Sequence, residues 1–173
     1  ESRKKPERAD SSSVSTLVRS ITSSNKKQGK LSSDQMRLWV LSQMYPNNHR
    51  HNISSAYEIT TALNPSILQE SMDIVVANHG SMRTRFGTKD GVPYQNIADT
   101  SKIKITFHDN VQSRAQALGI INEAAKRPFE LDKAELVRVT VINEGGVVIL
   151  SIIAHHIIAD ITSVDVIAKD LIT

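Results

Sequence analysis

Hydrophobic and polar positions along the chain fall into short blocks of two periods. Leu68, Met72, Val75 and Val76 recur at three- to four-residue spacing, which predicts a helix with one buried face. Asn64-Pro65 supplies its start, with Asn as cap and Pro in the first turn, and the helix is expected to end near Gly80. A second helix is expected from a Ser33 cap through about Met44, stopped before Pro46, and a third over 112–126, closed ahead of Pro128. A fourth, over about 162–172, places Val164, Ile167, Ala168 and Leu171 on one face. Alternation of Ile103, Ile105 and Phe107 predicts a strand over 103–108, and residues 52–60 read as another. Asp90-Gly91, between extended segments at 82–88 and 93–97, is a hairpin signal. Two more strands are expected at 136–142 and 147–154, joined at Glu144-Gly145-Gly146. The second is apolar almost throughout from Val147 to Ile153, as a strand in mid-sheet with both faces covered would be. Strands and helices interspersed in this way imply an α/β sandwich.

Residues 1–30 break the pattern. Eight of them are serine, and Val14, Leu17, Val18 and Ile21 are the only large apolar side chains, spaced for one short helix at most. Such a stretch buries too little surface to offset its ordering entropy, so it is expected to be a flexible linker, with order beginning near Leu31. It holds eight basic and three acidic residues, a net of +5, against 13 basic and 15 acidic in the rest of the chain. A basic tail can bind nucleic acid, but this one has no aromatic residue to stack on bases, and no nucleic-acid-binding motif follows it. A solvated linker is the expectation, with no nucleic-acid partner.

The chain has 173 residues, 23% charged and 39% hydrophobic, enough for one globular domain. It has no cysteine, which excludes a disulfide scaffold, a thiolate zinc site and a cysteine nucleophile. No apolar run approaches the ~20 residues of a membrane helix. The charged opening from Glu1 to Asp10 is unlike a signal peptide. A cytoplasmic location is therefore expected, without a membrane partner.

Candidate chemistry concentrates at Ala154-His155-His156-Ile157-Ile158-Ala159-Asp160, two histidines and a carboxylate among aliphatic residues. An imidazole titrates near ~6.5 and can take or give a proton at working pH. Neighbouring residues of a strand point to opposite faces, so His155 and His156 do not converge on a metal unless the backbone turns there. No helical His-Glu-x-x-His is present either. Two readings of the residues remain open: a general base, or a pair of buried, hydrogen-bonded histidines with no chemistry. Trp39, among Leu38, Leu41 and Met44, reads as core. The polar cluster Asn47 to His51 reads as a surface loop, and His79 as structural.

Three segments together resemble the condensation domains of nonribosomal peptide synthetases, within the chloramphenicol-acetyltransferase-like superfamily. Leu31 to Leu41 is similar to the opening Ser-x-x-Gln-x-Arg-Leu-Trp-x-Leu of that family. His79 to Phe86 resembles its Arg-His-Glu-x-Leu-Arg-Thr-x-Phe, with Asn78 and Gly80 where the family has Arg and Glu. His155 to Asp160 resembles its His-His-x-x-x-Asp signature, with Ile161 where glycine is usual. The stretches Asp90 to Gln95 and Arg127 to Leu131 add to the likeness, which covers residues 31–173.

The resemblance implies a chloramphenicol-acetyltransferase-like sandwich of which this is the N-terminal lobe, with a central mixed sheet and flanking helices. It implies that His156 is the catalytic residue, acting as general base or positioning the amine or hydroxyl that attacks a thioester. His155 would be mainly structural, and Asp160 would pair with Arg83. No cofactor is expected to bind the lobe directly. The phosphopantetheine arm belongs to a partner, an acyl carrier domain, and the second lobe and other domains of the same synthase are further partners. The Ser-rich lead-in is similar to that of the condensation domains of fungal polyketide synthases of the lovastatin nonaketide type. Two other readings are a non-catalytic remnant lobe used for docking, and a stand-alone acyltransferase that uses coenzyme A.

Overall fold

The structure, a computed structural model, describes residues 27–61 and 63–172. The described residues form two sheets. Strands β2 (Asn52–Ile59), β7 (Val147–His155), β6 (Val137–Glu144) and β5 (Ile105–Val111) lie side by side in that order. Only the β5–β6 pair is parallel. The sheet is thus mixed, and β7 sits inside it, as its apolar run predicted. From Ile149 to His155 every residue of β7 is buried.

The hairpin at Asp90-Gly91 forms as expected, because both residues take the positive φ a two-residue turn needs, 51° and 76°. Its strands β3 (Thr84–Lys89) and β4 (Val92–Ile97) nevertheless stand outside the main sheet. They make a second, antiparallel sheet whose third member is β1 (Gln28–Lys30), paired to β4. The linker expectation is corrected here: Gln28, Gly29 and Lys30 are a strand, ordered by pairing with residues almost seventy positions away. Residues 1–26 of the linker, and with them the helix considered over 14–21, lie outside the described residues.

Helix α1 (Ser33–Met44) is capped by Ser32, one residue ahead of the expected Ser33. The hydroxyl of Ser32 accepts from Gln35 N–H and the Gln35 side chain accepts from Ser32 N–H, at 3.2 and 2.9 Å. Two serines compete for the cap, and the glutamine three residues after Ser32 decides between them. Helix α2 (Pro65–Asn78) has Asn64 as its cap, as predicted. Helices α3 (Arg114–Lys126) and α4 (Ile161–Ile172) follow.

Strand alternation divides the core. Leu150, Ile152 and Ala154 of β7 face α2 and α4, in one cluster with Met72, Val76, Val164 and Ile167. On the other face Ile149 joins Ile142 and Ile121 of α3. Ile153, on that same face, packs with Leu38 and Trp39 of α1, Phe86 of β3, Phe129, Leu131, Leu136 and Ile157. This last cluster joins the small sheet to the tip of β7.

Candidate active site

His155 is the last residue of β7 and shares its face with Ile153, so the period of the strand turns its ring inward. It is 3% exposed. Phe129 meets the ring edge-on and His51 lies tilted beside it, both with centroids 6.2 Å away. Burial, with smaller contributions from His51 and His156, pushes its pKa down from 6.5 to about 4.

The backbone turns directly after the strand. His156 N–H donates to the carbonyl of His51 at 2.8 Å, and Ile158 N–H to that of His155 at 3.1 Å. The turn carries the His156 ring out to an exposed position. Its Nδ1 lies 2.8 Å from the carbonyl oxygen of Ala159. A carbonyl can only accept, so Nδ1 is the donor, and in the neutral ring Nε2 is the acceptor that remains. Gln35 of α1 reaches the turn from outside, donating from Nε2 to the Ile157 carbonyl at 3.5 Å and to Gln95 Oε1 at 3.2 Å.

Asp160 and Arg83 do not pair, contrary to expectation. Asp160 is exposed and caps α4: its Oδ1 accepts from Ser163 N–H at 2.7 Å and from the Ser163 hydroxyl at 2.6 Å. Those two bonds hold its carboxyl below the usual range. Ile161, where glycine was the usual residue, simply opens that helix. Arg83 is committed elsewhere. Its guanidinium donates to the carbonyls of Val76 and Ala77 in the C-terminal turn of α2 and of Ala98 and Asp99 after β4, joining the two segments. The planar fork matches four acceptors, and an exposed carboxylate offers it less than a helix end full of unpaired carbonyls. Arg83→Ala is expected to lower unfolding free energy by about 2–3 kcal/mol, with Arg83→Lys recovering less than half. Urea denaturation measures both, and a loss within about 0.5 kcal/mol for the alanine variant would refute the capping role.

Several residues around the site were not singled out in the sequence. His51 supplies the carbonyl that holds His156 N–H, although its polar neighbourhood read as a surface loop. Asn52, opposite His155 in the β2–β7 register, donates to the carbonyls of Ala125 and Arg127 at 2.7 and 2.9 Å and ties the end of α3 to the strand. Arg138 lies 3.7 Å over the Phe129 ring and donates to the carbonyls of Ala124, Arg127 and Pro128. No local signal marks these residues, because each bond spans ten or more positions of chain. His79, read as structural, bonds Asp170 at 2.8 Å and links α2 to α4.

A cleft of about 1020 Å³ among the described residues does not contain His156. It runs along Thr106 and Thr140 beside α3, and reaches the surroundings of the site through Arg127, Phe129 and Arg138. The His156 ring instead stands on an open surface.

The buried neutral state of His155 has a consequence for pH. An unfolded histidine titrates near 6.5 and the folded one near 4. Between those values the unfolded chain binds more protons, so this contribution to stability is complete above about pH 6.5 and is lost as pH falls towards 4. The difference corresponds to about 3 kcal/mol. Urea midpoints across this window are expected to fall more steeply for the native sequence than for His155→Asn. Parallel curves would contradict the assignment.

A mixed sheet with helices on both faces and a His-His turn at the tip of its central strand define a lobe of the chloramphenicol-acetyltransferase-like class. The family model described as Condensation domain matches residues 25–173, and the chain belongs to that family. It is 33% identical over 143 residues to bacitracin synthase 2 of Bacillus licheniformis, covering 81% of this chain and 5% of that protein. It is 32% identical over 142 residues to surfactin synthase subunit 2 of Bacillus subtilis, covering 82% of this chain and 4% of that protein. Among solved structures, the first condensation domain of the CDA synthetase superposes with a TM-score of 0.77 at 20% identity, over 85% of this chain and 40% of that one. The starter condensation domain of rhizomide synthetase gives 0.77 at 20% identity, over 83% and 37%. The chain therefore spans about two-fifths of the solved domains it matches and a few per cent of the synthetases, which fits the expected N-terminal lobe.

Proposed function

We propose that this lobe supplies the general base for acyl transfer from a carrier-bound thioester to an amine, within a multidomain synthetase. The observation that carries this reading is the contact of His156 Nδ1 with the Ala159 carbonyl at 2.8 Å, which turns Nε2 outward on an exposed ring at the strand tip and makes it the acceptor of the neutral ring. The nucleophile's nitrogen bonds to the thioester carbonyl carbon and gives its proton to Nε2. The carbon–sulfur bond then breaks, and the proton passes to the departing thiolate of the phosphopantetheine arm. That arm belongs to the carrier domain, and a second lobe would enclose the His156 surface. An amine is preferred to a hydroxyl because proteins described as nonribosomal peptide synthetases are among the relatives of the chain. No described helix is long and apolar enough to cross a membrane, and the cytoplasm, where carrier-bound thioesters are made, is the proposed location.

The test uses the full multidomain protein, with its carrier loaded with the acyl group and the amine acceptor supplied. His156→Ala should abolish condensed product while the loaded carrier persists. Unchanged product formation would overturn the catalytic reading and leave the lobe a docking surface. Equal rates with a coenzyme A thioester in place of the loaded carrier would assign it to the stand-alone acyltransferases.

A further inference from the structure

His155 and His156 are neighbours with opposite hydrogen-bonding duties. The Nδ1 of His155 accepts from the backbone N–H of Ile157 at 3.1 Å, two residues on. That is the arrangement in which an Asn or Asp side chain closes an Asx-turn, with an imidazole nitrogen standing in for the carboxamide oxygen. An N–H donor requires Nδ1 to be unprotonated, so the neutral ring carries its proton on Nε2. His156, one residue later, carries its proton on Nδ1 for the Ala159 carbonyl.

The position of that bond matters. Ile157 is the central residue of the turn that projects the His156 ring, and it is itself 3% exposed, so its N–H has no water to turn to. Without the His155 acceptor that amide would be stranded, and the turn would rotate to find a partner. Rotation of the 156–157 peptide moves the Ala159 carbonyl relative to the His156 ring and releases the tautomer that leaves Nε2 bare. The ring packed against Phe129 and His51 cannot swing away to lose the contact by itself.

We propose that His155 is a positioning residue: its Nδ1 acts as an Asx-type acceptor that pins the Ile157 amide, and this pin sets the turn and the tautomer of His156. The inference rests on the proposed catalytic role of His156 for its functional consequence, but not for its structural one. Two substitutions separate acceptor from filler. Asparagine places an oxygen where Nδ1 lies, whereas leucine fills similar volume with no acceptor.

The experiment labels histidine and isoleucine with nitrogen-15, which makes the six histidines of the chain and the Ile157 amide observable. Long-range proton–nitrogen correlations should show His155 with its proton on Nε2 and His156 with its proton on Nδ1. His155→Asn should keep the His156 tautomer and the slow exchange of the Ile157 amide, and His155→Leu should lose both. In the intact synthetase, His155→Leu should lower kcat on the order of tenfold to a hundredfold, with KM changed less than about twofold, and His155→Asn should restore most of the rate. Finding His155 protonated on Nδ1 in the unsubstituted protein would overturn the proposal, and needs no variant to fold. So would an unchanged His156 tautomer in His155→Leu. If the nitrogen spectra behave as stated while His156→Ala remains active, the pin stands and the catalytic reading falls.

Discussion

Alanine at position 156 is expected to lower single-turnover acyl transfer by the intact synthetase by about 10²–10⁴-fold, the range a positioned general base contributes. The case is geometric. The ring is held through its Nδ1 bond to the Ala159 carbonyl, and its own amide is held by His51. The substitution removes Nε2 and the single Nδ1 bond to the Ala159 carbonyl, from a side chain that is exposed. Stability should therefore change little, within about ±0.5 kcal/mol. A glutamine at 156 would restore bulk and a hydrogen-bonding tip but no base, so it should stay within about tenfold of alanine. Recovery by glutamine to the native rate would assign His156 to binding rather than proton transfer. Measuring product against time at saturating acceptor separates these outcomes.

Phe86→Ala is expected to carry the largest stability cost, about 3–5 kcal/mol. Phe86 is 1% exposed and lies in the cluster that joins α1, β3, β7 and the Leu131 and Leu136 segment. Its backbone N–H also donates to the Leu131 carbonyl at 2.7 Å, so the surrounding chain is tethered and cannot collapse into the vacated space. Ile153 and Ile157 of the histidine strand and turn are in the same cluster, so the loss should reach the His156 turn before global unfolding. Faster exchange of the Ile157 amide in Phe86→Ala, compared with a variant of equal cost in the opposite cluster such as Met72→Ala, checks this. Equal exchange in the two variants would show that the cluster does not support the turn.

Much of this lobe is a local matter, decided over a few residues. Apolar periodicity placed the helices containing Met72 and Val164 to within a residue or two. Asn64-Pro65 and Asp90-Gly91 set a helix start and a hairpin by their own backbone preferences, and the unbroken run from Val147 to Ile153 declared a central strand. The His-His-x-x-x-Asp spacing marked the segment where chemistry was to be sought. What the sequence left open were choices among competing partners distant along the chain. Arg83 could meet the Asp160 carboxylate or the carbonyls at the end of α2. A guanidinium with a fork of donors goes to the dense set of unpaired acceptors once tertiary packing brings Ala98 alongside. Asp160 takes the nearest N–H groups, those of the helix it precedes. The main-chain support from His51 and the reach of Gln35 across 122 positions exist only because β2 pairs with β7 and α1 packs on Ile153 and Ile157. Period and spacing fix which face a residue occupies; which partner it meets there is decided by contacts between distant segments, and these form only in the assembled fold.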